Sequence, residues 1–186
     1  SAVLGTMSDG VHSWTEVTGD IDIVTNKAQG VSVSPTVNLS VVAEAHSETD
    51  YYVQADIDAV GERRTEILCR YTDINNYYTL QSYSTTFDLV KVVAGSSTAL
   101  GSYVGTSGAH TIKLEVRGDV LKAYVDGIER ISVSDSSHTS GKAGIRSNSG
   151  VVVTWDNFIA DLLLPLSSMR GWSSKQKRRI RLRGSS

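Results

Sequence analysis

The stretch from residue 109 to 133, AHTIKLEVRGDVLKAYVDGIERISV, constrains the fold more than any other part of the chain. Ile112, Leu114 and Val116 alternate with Lys113, Glu115 and Arg117. After Gly118-Asp119 the alternation resumes, with Leu121, Ala123 and Val125 against Lys122, Tyr124 and Asp126. A period of two puts each set on its own face of a strand. Asp126-Gly127 is a hairpin signal, because a type I′ turn needs positive φ at both central positions. A slip of one residue would turn every apolar side chain outward, so the register is strongly specified. The segment predicts three antiparallel strands with one buried face.

Further strands are expected at 20–24, 37–43, 51–59, 65–71, 77–83, 87–93, 98–103, 142–146 and 151–160, separated by Gly, Asn, Asp and Ser clusters. Short strands at this spacing are the mark of an all-β sandwich. Residues 1–19 read as loop with Trp14 as an anchor, and no helical pattern occurs before residue 161. A chain of 186 residues suits one domain with an appendage. The fold class is therefore all-β: a two-sheet antiparallel sandwich over 1–161, followed by an extended basic tail over 162–186. Trp14 and Trp155 are expected in the core. Cys69 is the sole cysteine, which excludes an internal disulfide, and its setting in TEILCRY suits a buried, inert thiol. No apolar run approaches the ~20 residues of a membrane span, and the first residues lack the basic-then-apolar pattern of a secretory leader.

Charge divides the chain. Residues 162–186 hold seven basic side chains and no acidic one, which leaves eleven basic against twenty acidic residues in 1–161, a net of −9. An acidic body carries a cationic tail. Leu164, Trp172, Lys175, Lys177, Arg178, Arg179, Arg181 and Arg183 give that tail both apolar and basic contacts, so it is expected to grip a partner. Three readings stay open: the tail lies on the acidic body of a second copy, binds a nucleic acid or other polyanion, or is a solvated linker into a further domain.

The segments LGTMSDGVHSW (4–14), YYVQADI (51–57), RYTDINNYYTL (70–80), HTIKLEVRGDVLKAYVDGIER (110–130), GKAGIRS (141–147) and WDNFIA (155–160) resemble the concanavalin A-like lectin/glucanase superfamily. The likeness is to the laminin-G-like and 3-keto-disaccharide-hydrolase-like jelly rolls of bacterial and phage surface proteins. It implies a jelly roll. In similar domains a short D-x-F strand precedes the first segment, and that strand is expected to be missing here or supplied by a neighbour. Hydrolases, lyases, lectins and structural modules share the fold, so activity must be argued from residues.

Members that cleave β-glucans carry paired carboxylates in an E-x-D-x-x-E strand, flanking the glycosidic bond. The nearest stretch, QADIDAVGE (54–62), has Gln54 in the leading place and Glu62 at the wrong spacing. Asp56 and Asp58 are expected to be solvated, no catalytic residue is assigned, and the chain is not expected to be an enzyme. Glu62, Arg63, Arg64 and Glu66 are expected to form exposed pairs of little consequence. Tyr71, Asn75, Asn76, Tyr77, Tyr78, Gln81 and Tyr83 form the candidate glycan set, because Tyr rings stack on sugar C–H groups while amides supply directional hydrogen bonds. Structural packing of those tyrosines is the competing reading. No metal site or cofactor is expected, since His12, His46, His110 and His138 lack ligand spacing. Carboxylates at turns (Asp9, Asp20, Asp73, Asp126, Asp135, Asp156) leave a structural Ca²⁺ open.

The leading expectation is a non-catalytic structural or assembly module of an extracellular or phage-like virion assembly, with weak glycan affinity, joined into a homo-oligomer by its tail. The alternative is a carbohydrate-binding module of a larger enzyme or adhesin, and a glycoside hydrolase or lyase comes third. The expected location is extracellular or on a virion surface.

Overall fold

The computed structural model describes residues 2–3, 13–30, 38–42, 49–59, 64–148 and 153–163. Within them the chain forms fifteen strands and no helix. One sheet takes β1 (Ala2–Val3), β3 (Ile21–Val24), β4 (Lys27–Gly30), β6 (Tyr51–Ala59), β11 (Gly108–Arg117), β12 (Val120–Val125), β13 (Ile128–Ser134) and β15 (Thr154–Leu162). Its strand order is β1-β3-β4-β15-β6-β11-β12-β13. The other takes β2 (Trp14–Thr18), β5 (Asn38–Val42), β7 (Arg64–Asp73), β8 (Asn76–Tyr83), β9 (Thr86–Val93), β10 (Ser96–Val104) and β14 (Lys142–Ser147), in the order β10-β9-β8-β7-β14-β5-β2. Every pairing in both sheets is antiparallel. The two sheets stack face to face, as sandwiches do.

The 109–133 pattern folds as its alternation dictates. Ile112, Leu114, Val116, Leu121 and Ala123 are fully buried, and Ile112 pairs with Val125 while Val116 pairs with Leu121. Asp126 and Gly127 both have positive φ, 54° and 77°, as a type I′ turn needs. Val53, Ala55 and Ile57 of β6 join them in a core with Ile67, Cys69, Tyr78, Leu80, Phe87 and Leu89 of the opposite sheet. Trp155 is wholly buried and donates its indole N–H to the Glu66 carbonyl at 3.1 Å, which fastens β15 to the other layer. Trp14 meets Phe158 edge-on, with ring centroids 4.9 Å apart. Both tryptophans are core residues, as is Cys69, whose thiol burial pushes well above the ordinary range.

Three strands escape the sequence reading. The two-residue β1 and residues 14–18 (β2) are strands rather than loop, and β4 pairs with β3 across Thr25-Asn26, whose φ values are 50° and 66°. Strands β2 and β4 are short and largely polar, and the Thr25-Asn26 turn is a primed hairpin built without glycine. Such strands leave little apolar alternation to detect. At the other end β15 continues through Leu162, one residue into the expected tail. Leu164, Trp172, Lys175, Lys177, Arg178, Arg179, Arg181 and Arg183 lie outside the described residues.

One irregularity positions the functional face. In β7, Ile67 and Cys69 point into the core, so strict alternation would send Tyr71 inward as well. The pairing of β7 with β8 instead shifts register between Cys69 and Asp73, and Arg70 takes φ +51°. A bulge of this kind re-aims the side chains around it. Tyr71 turns to the outer face beside Leu68 and Tyr77. Arg70, 1% exposed, donates to three backbone carbonyls: His138 at 2.8 Å, Thr49 at 2.7 Å and Gly118 at 2.7 Å. The Tyr51 hydroxyl accepts the Arg70 backbone N–H at 2.6 Å and donates to the Gly141 carbonyl at 3.2 Å.

Candidate functional site

The outer face of the seven-stranded sheet holds the chemistry, and its ladder registers define where each side chain stands. Arg146 of β14 lies opposite Glu66 of β7, Glu66 opposite Gln81 of β8, Gln81 opposite Asp88 of β9, and Asp88 opposite Ser102 of β10. One polar row therefore crosses five strands. A second row, two residues along, runs Arg64–Tyr83–Thr86–Val104. Directly opposed residues have Cβ atoms roughly 5 Å apart, so the two rows make a continuous patch. On the far side of the polar row lies a second apolar cluster of Leu39, Leu68, Tyr71, Tyr77, Val90 and Val92.

Within the polar row the hydrogen bonds alternate donor and acceptor. Glu66 accepts one from the Arg146 guanidinium through one carboxylate oxygen and one from the Thr79 hydroxyl through the other, the latter at 3.1 Å. Gln81 donates its amide N–H to an Asp88 carboxylate oxygen at 3.3 Å. Glu66 is wholly buried. Burial pushes its carboxyl above the ordinary range, and the charges of Arg146 and Arg64 pull it back only in part. The Tyr77 hydroxyl is raised by burial too, with Arg146, Glu66 and Arg64 all within electrostatic reach. The expected surface pairing around Glu66 is thus corrected. Its partner is Arg146, eighty residues away, and the carboxylate is internal because Glu66 shares its face with buried Leu68.

The seven candidate glycan residues separate into three groups. Tyr71, Tyr77, Gln81 and Tyr83 share the outer face, but Tyr71 and Tyr77 are 6% and 4% exposed, whereas Tyr83 is 39% exposed. Tyr78 points the opposite way. It is fully buried, and its hydroxyl donates to Asp135 at 2.6 Å and accepts the His138 backbone N–H at 3.1 Å. It cannot present a ring to a sugar, which corrects its inclusion. Asn75 sits in the β7–β8 turn and Asn76 opens β8. The Asn75 backbone N–H and the Asn76 side-chain amide both donate to Asp73, and the Asn76 side-chain carbonyl accepts the Ala94 N–H. These bonds hold two hairpin turns together. The residues that complete the patch, Arg64, Glu66, Asp88 and Arg146, were not in the set. Their shared face is a matter of register across β7, β8 and β9 and of β14, a strand distant in sequence that pairs with β7.

The outer face of the eight-stranded sheet is less suited to stacking. Its tyrosines are covered: the Lys113 ammonium lies 3.8 Å from the Tyr124 ring centroid and 5.6 Å from that of Tyr52. Asp56 accepts hydrogen bonds from Thr111 at 2.5 Å and Asn157 at 2.7 Å, while Asp58 is exposed. Glu62 lies outside the described residues. Among the described residues, no three His, Cys, Asp or Glu side chains are grouped to hold a metal ion.

No family model matches the sequence, and no curated protein does. Solved structures do. The carbohydrate-binding module CBM66 from Bacillus subtilis superposes with a TM-score of 0.69 at 20% identity, covering 79% of this chain and 94% of that one. The chain folds as a two-sheet antiparallel jelly-roll sandwich. The β-glucanase of Bacillus licheniformis matches this jelly roll with a TM-score of 0.59 at 11% identity, over 81% of this chain and 92% of its own. The GH43 protein BlXynB from Bacillus licheniformis matches at 0.61 and 17% identity, over 76% of this chain, which corresponds to 35% of the larger protein. At these identities the likeness carries the fold, and the jelly roll hosts both binding modules and hydrolases. Its function rests on the patch.

Proposed function

We propose that this jelly roll is a carbohydrate-binding module, and that the Arg64–Tyr83–Gln81–Asp88 patch is its binding surface. The observation that carries the reading is the single exposed tyrosine of that face, Tyr83, flanked in register by a guanidinium, an amide and a carboxylate. A pyranose offers an apolar C–H face and a rim of hydroxyls. An exposed phenol ring matches the first, and side chains that donate and accept match the second. Tyr71 and Tyr77 pack in the apolar cluster beside the polar row. The jelly-roll likeness to a carbohydrate-binding module supports the same reading, and it fits a secreted or surface-bound protein. No catalytic pair is assigned.

This is the reading that the sequence ranked second. The assembly reading was drawn from the tail, which lies outside the described residues, and none of the structural neighbours named above speaks for a virion role. The test is a glycan array followed by titration calorimetry, with Tyr83→Ala as the control. Loss of the stacked ring is expected to cost about 1–1.5 kcal/mol, or roughly ten-fold in Kd, with an unchanged melting temperature. A protein that binds no saccharide on the array, or one whose binding survives Tyr83→Ala undiminished, refutes the assignment.

A further inference from the structure

The hydrogen-bonding capacity left open in the patch constrains the kind of saccharide it can accept. Glu66 is fully buried, and both of its oxygens are occupied by Arg146 and Thr79. Gln81 uses an amide N–H on one Asp88 oxygen. This leaves the second Asp88 oxygen and the Gln81 carbonyl as acceptors beside Tyr83, with the Arg64 guanidinium as donor from the opposing position. Asp88 and Arg64 are both partly accessible. A bound molecule must therefore donate to the carboxylate and amide oxygens as well as accept from the guanidinium.

We infer that the patch takes a neutral, hydroxyl-bearing saccharide and discriminates against uronic or sulfated ones, with Asp88 as the discriminating residue. The inference rests on the glycan-binding reading above. A sugar hydroxyl both donates and accepts, so two neighbouring hydroxyls satisfy Asp88 and Arg64 together. A carboxylate or sulfate group only accepts. Placed over Tyr83 it would meet Arg64 favourably but leave the Gln81 and Asp88 oxygens without donors. It would also bring like charge to a carboxylate in a partly desolvated setting.

The experiment measures the Tyr83-dependent part of binding in the full chain. This sets aside any polyanion held elsewhere, such as by the basic residues 175–183. Neutral oligosaccharides of glucose, xylose, galactose and fructose form one arm, and oligogalacturonate and heparin fragments form the other. Each is titrated against the wild type, Tyr83→Ala and Asp88→Asn. Neutral binding is expected to weaken about ten-fold with Tyr83→Ala and about ten-fold or more with Asp88→Asn, the value of one hydrogen bond to a charged group. Any binding of the acidic arm is expected to be the same in wild type and Tyr83→Ala. An acidic oligosaccharide whose binding is lost with Tyr83→Ala overturns the neutral preference while leaving the glycan-binding reading intact. So does a neutral ligand indifferent to Asp88→Asn. If neither arm shows Tyr83-dependent binding, both proposals fall together.

Discussion

Arg70 offers the sharpest test of how the end of the sandwich is held. Its guanidinium is 1% exposed, and its three hydrogen-bond acceptors are backbone carbonyls of three separate segments, at Thr49, Gly118 and His138. Substituting Met keeps most of the packing volume and removes all three bonds. A bond from a charged donor is worth about 1.5–3 kcal/mol. The Thr49 and Gly118 bonds are only part-buried, so those carbonyls recover water and lose less. The His138 bond is buried, so its carbonyl is left unsatisfied at about 1–3 kcal/mol. Against this, Met abolishes the desolvation cost of a buried charge and of the Arg70 Nε, which has no partner. The balance is a loss of about 3–4 kcal/mol. For a domain of this size each kcal/mol moves Tm by about 2–4 °C, so Arg70→Met should melt roughly 10 °C lower in a circular-dichroism scan. Arg70→Lys, whose ammonium cannot span three carbonyls, should fall between. Hydrogen exchange should speed up near residues 118 and 138 before it does in the β11–β12 ladder. A Met variant melting within about 2 °C of the wild type would show that the three carbonyls are as well served by water, and the clamp reasoning would fail.

Two further perturbations follow from the same end of the molecule. Gly141 has φ +144°, and a Cβ there would lie 2.5 Å from the Arg70 carbonyl carbon and 2.7 Å from the Tyr71 carbonyl oxygen. Gly141→Ala should therefore destabilise by about 3 kcal/mol or more, combining backbone strain with overlap against main chain that cannot move aside. An urea midpoint equal to wild type would refute it. Burial alone would raise the Asp135 carboxyl, but hydrogen bonds from Lys91, Ser137 and Tyr78 more than reverse this and hold it well below the ordinary carboxylate range. A depressed folded-state pKa contributes stability that is complete above the unfolded value of about 3.9 and is lost as the pH falls below it. Urea titrations from pH 5 down to pH 2 should show a shallower loss of stability for Asp135→Asn than for the wild type; parallel curves would refute the assignment.

Most of the fold was legible because alternation survives wherever one face of a strand is buried. The spans expected at 51–59, 77–83 and 87–93 agree with β6, β8 and β9 to within a residue, since each alternates inward apolar side chains with outward ones: Val53, Ala55 and Ile57 in β6, Tyr78 and Leu80 in β8, Phe87 and Leu89 in β9. Strands β2 and β4 were hidden by their polarity, and the second hairpin turn by its Thr-Asn centre. The site was legible only in part, for a different reason. Composition singled out a cluster of tyrosines, but the face on which each lies depends on register, and register was interrupted. Between Cys69 and Asp73 the bulge reverses the parity of β7, so Tyr71 joins the outer face while Tyr78, next to Tyr77 in sequence, stays in the core. Glu66 was misplaced because its partner, Arg146, comes from β14, and six strands, β8 to β13, lie between the two in sequence. Tyrosine content marks where a sugar-binding face can form, and the row that crosses it decides which tyrosine is available. Tyr83 is exposed on the side of the polar row that faces away from the apolar cluster. A ligand there meets an open ring and unfilled polar valence together, which the buried Tyr71–Tyr77 pair cannot provide.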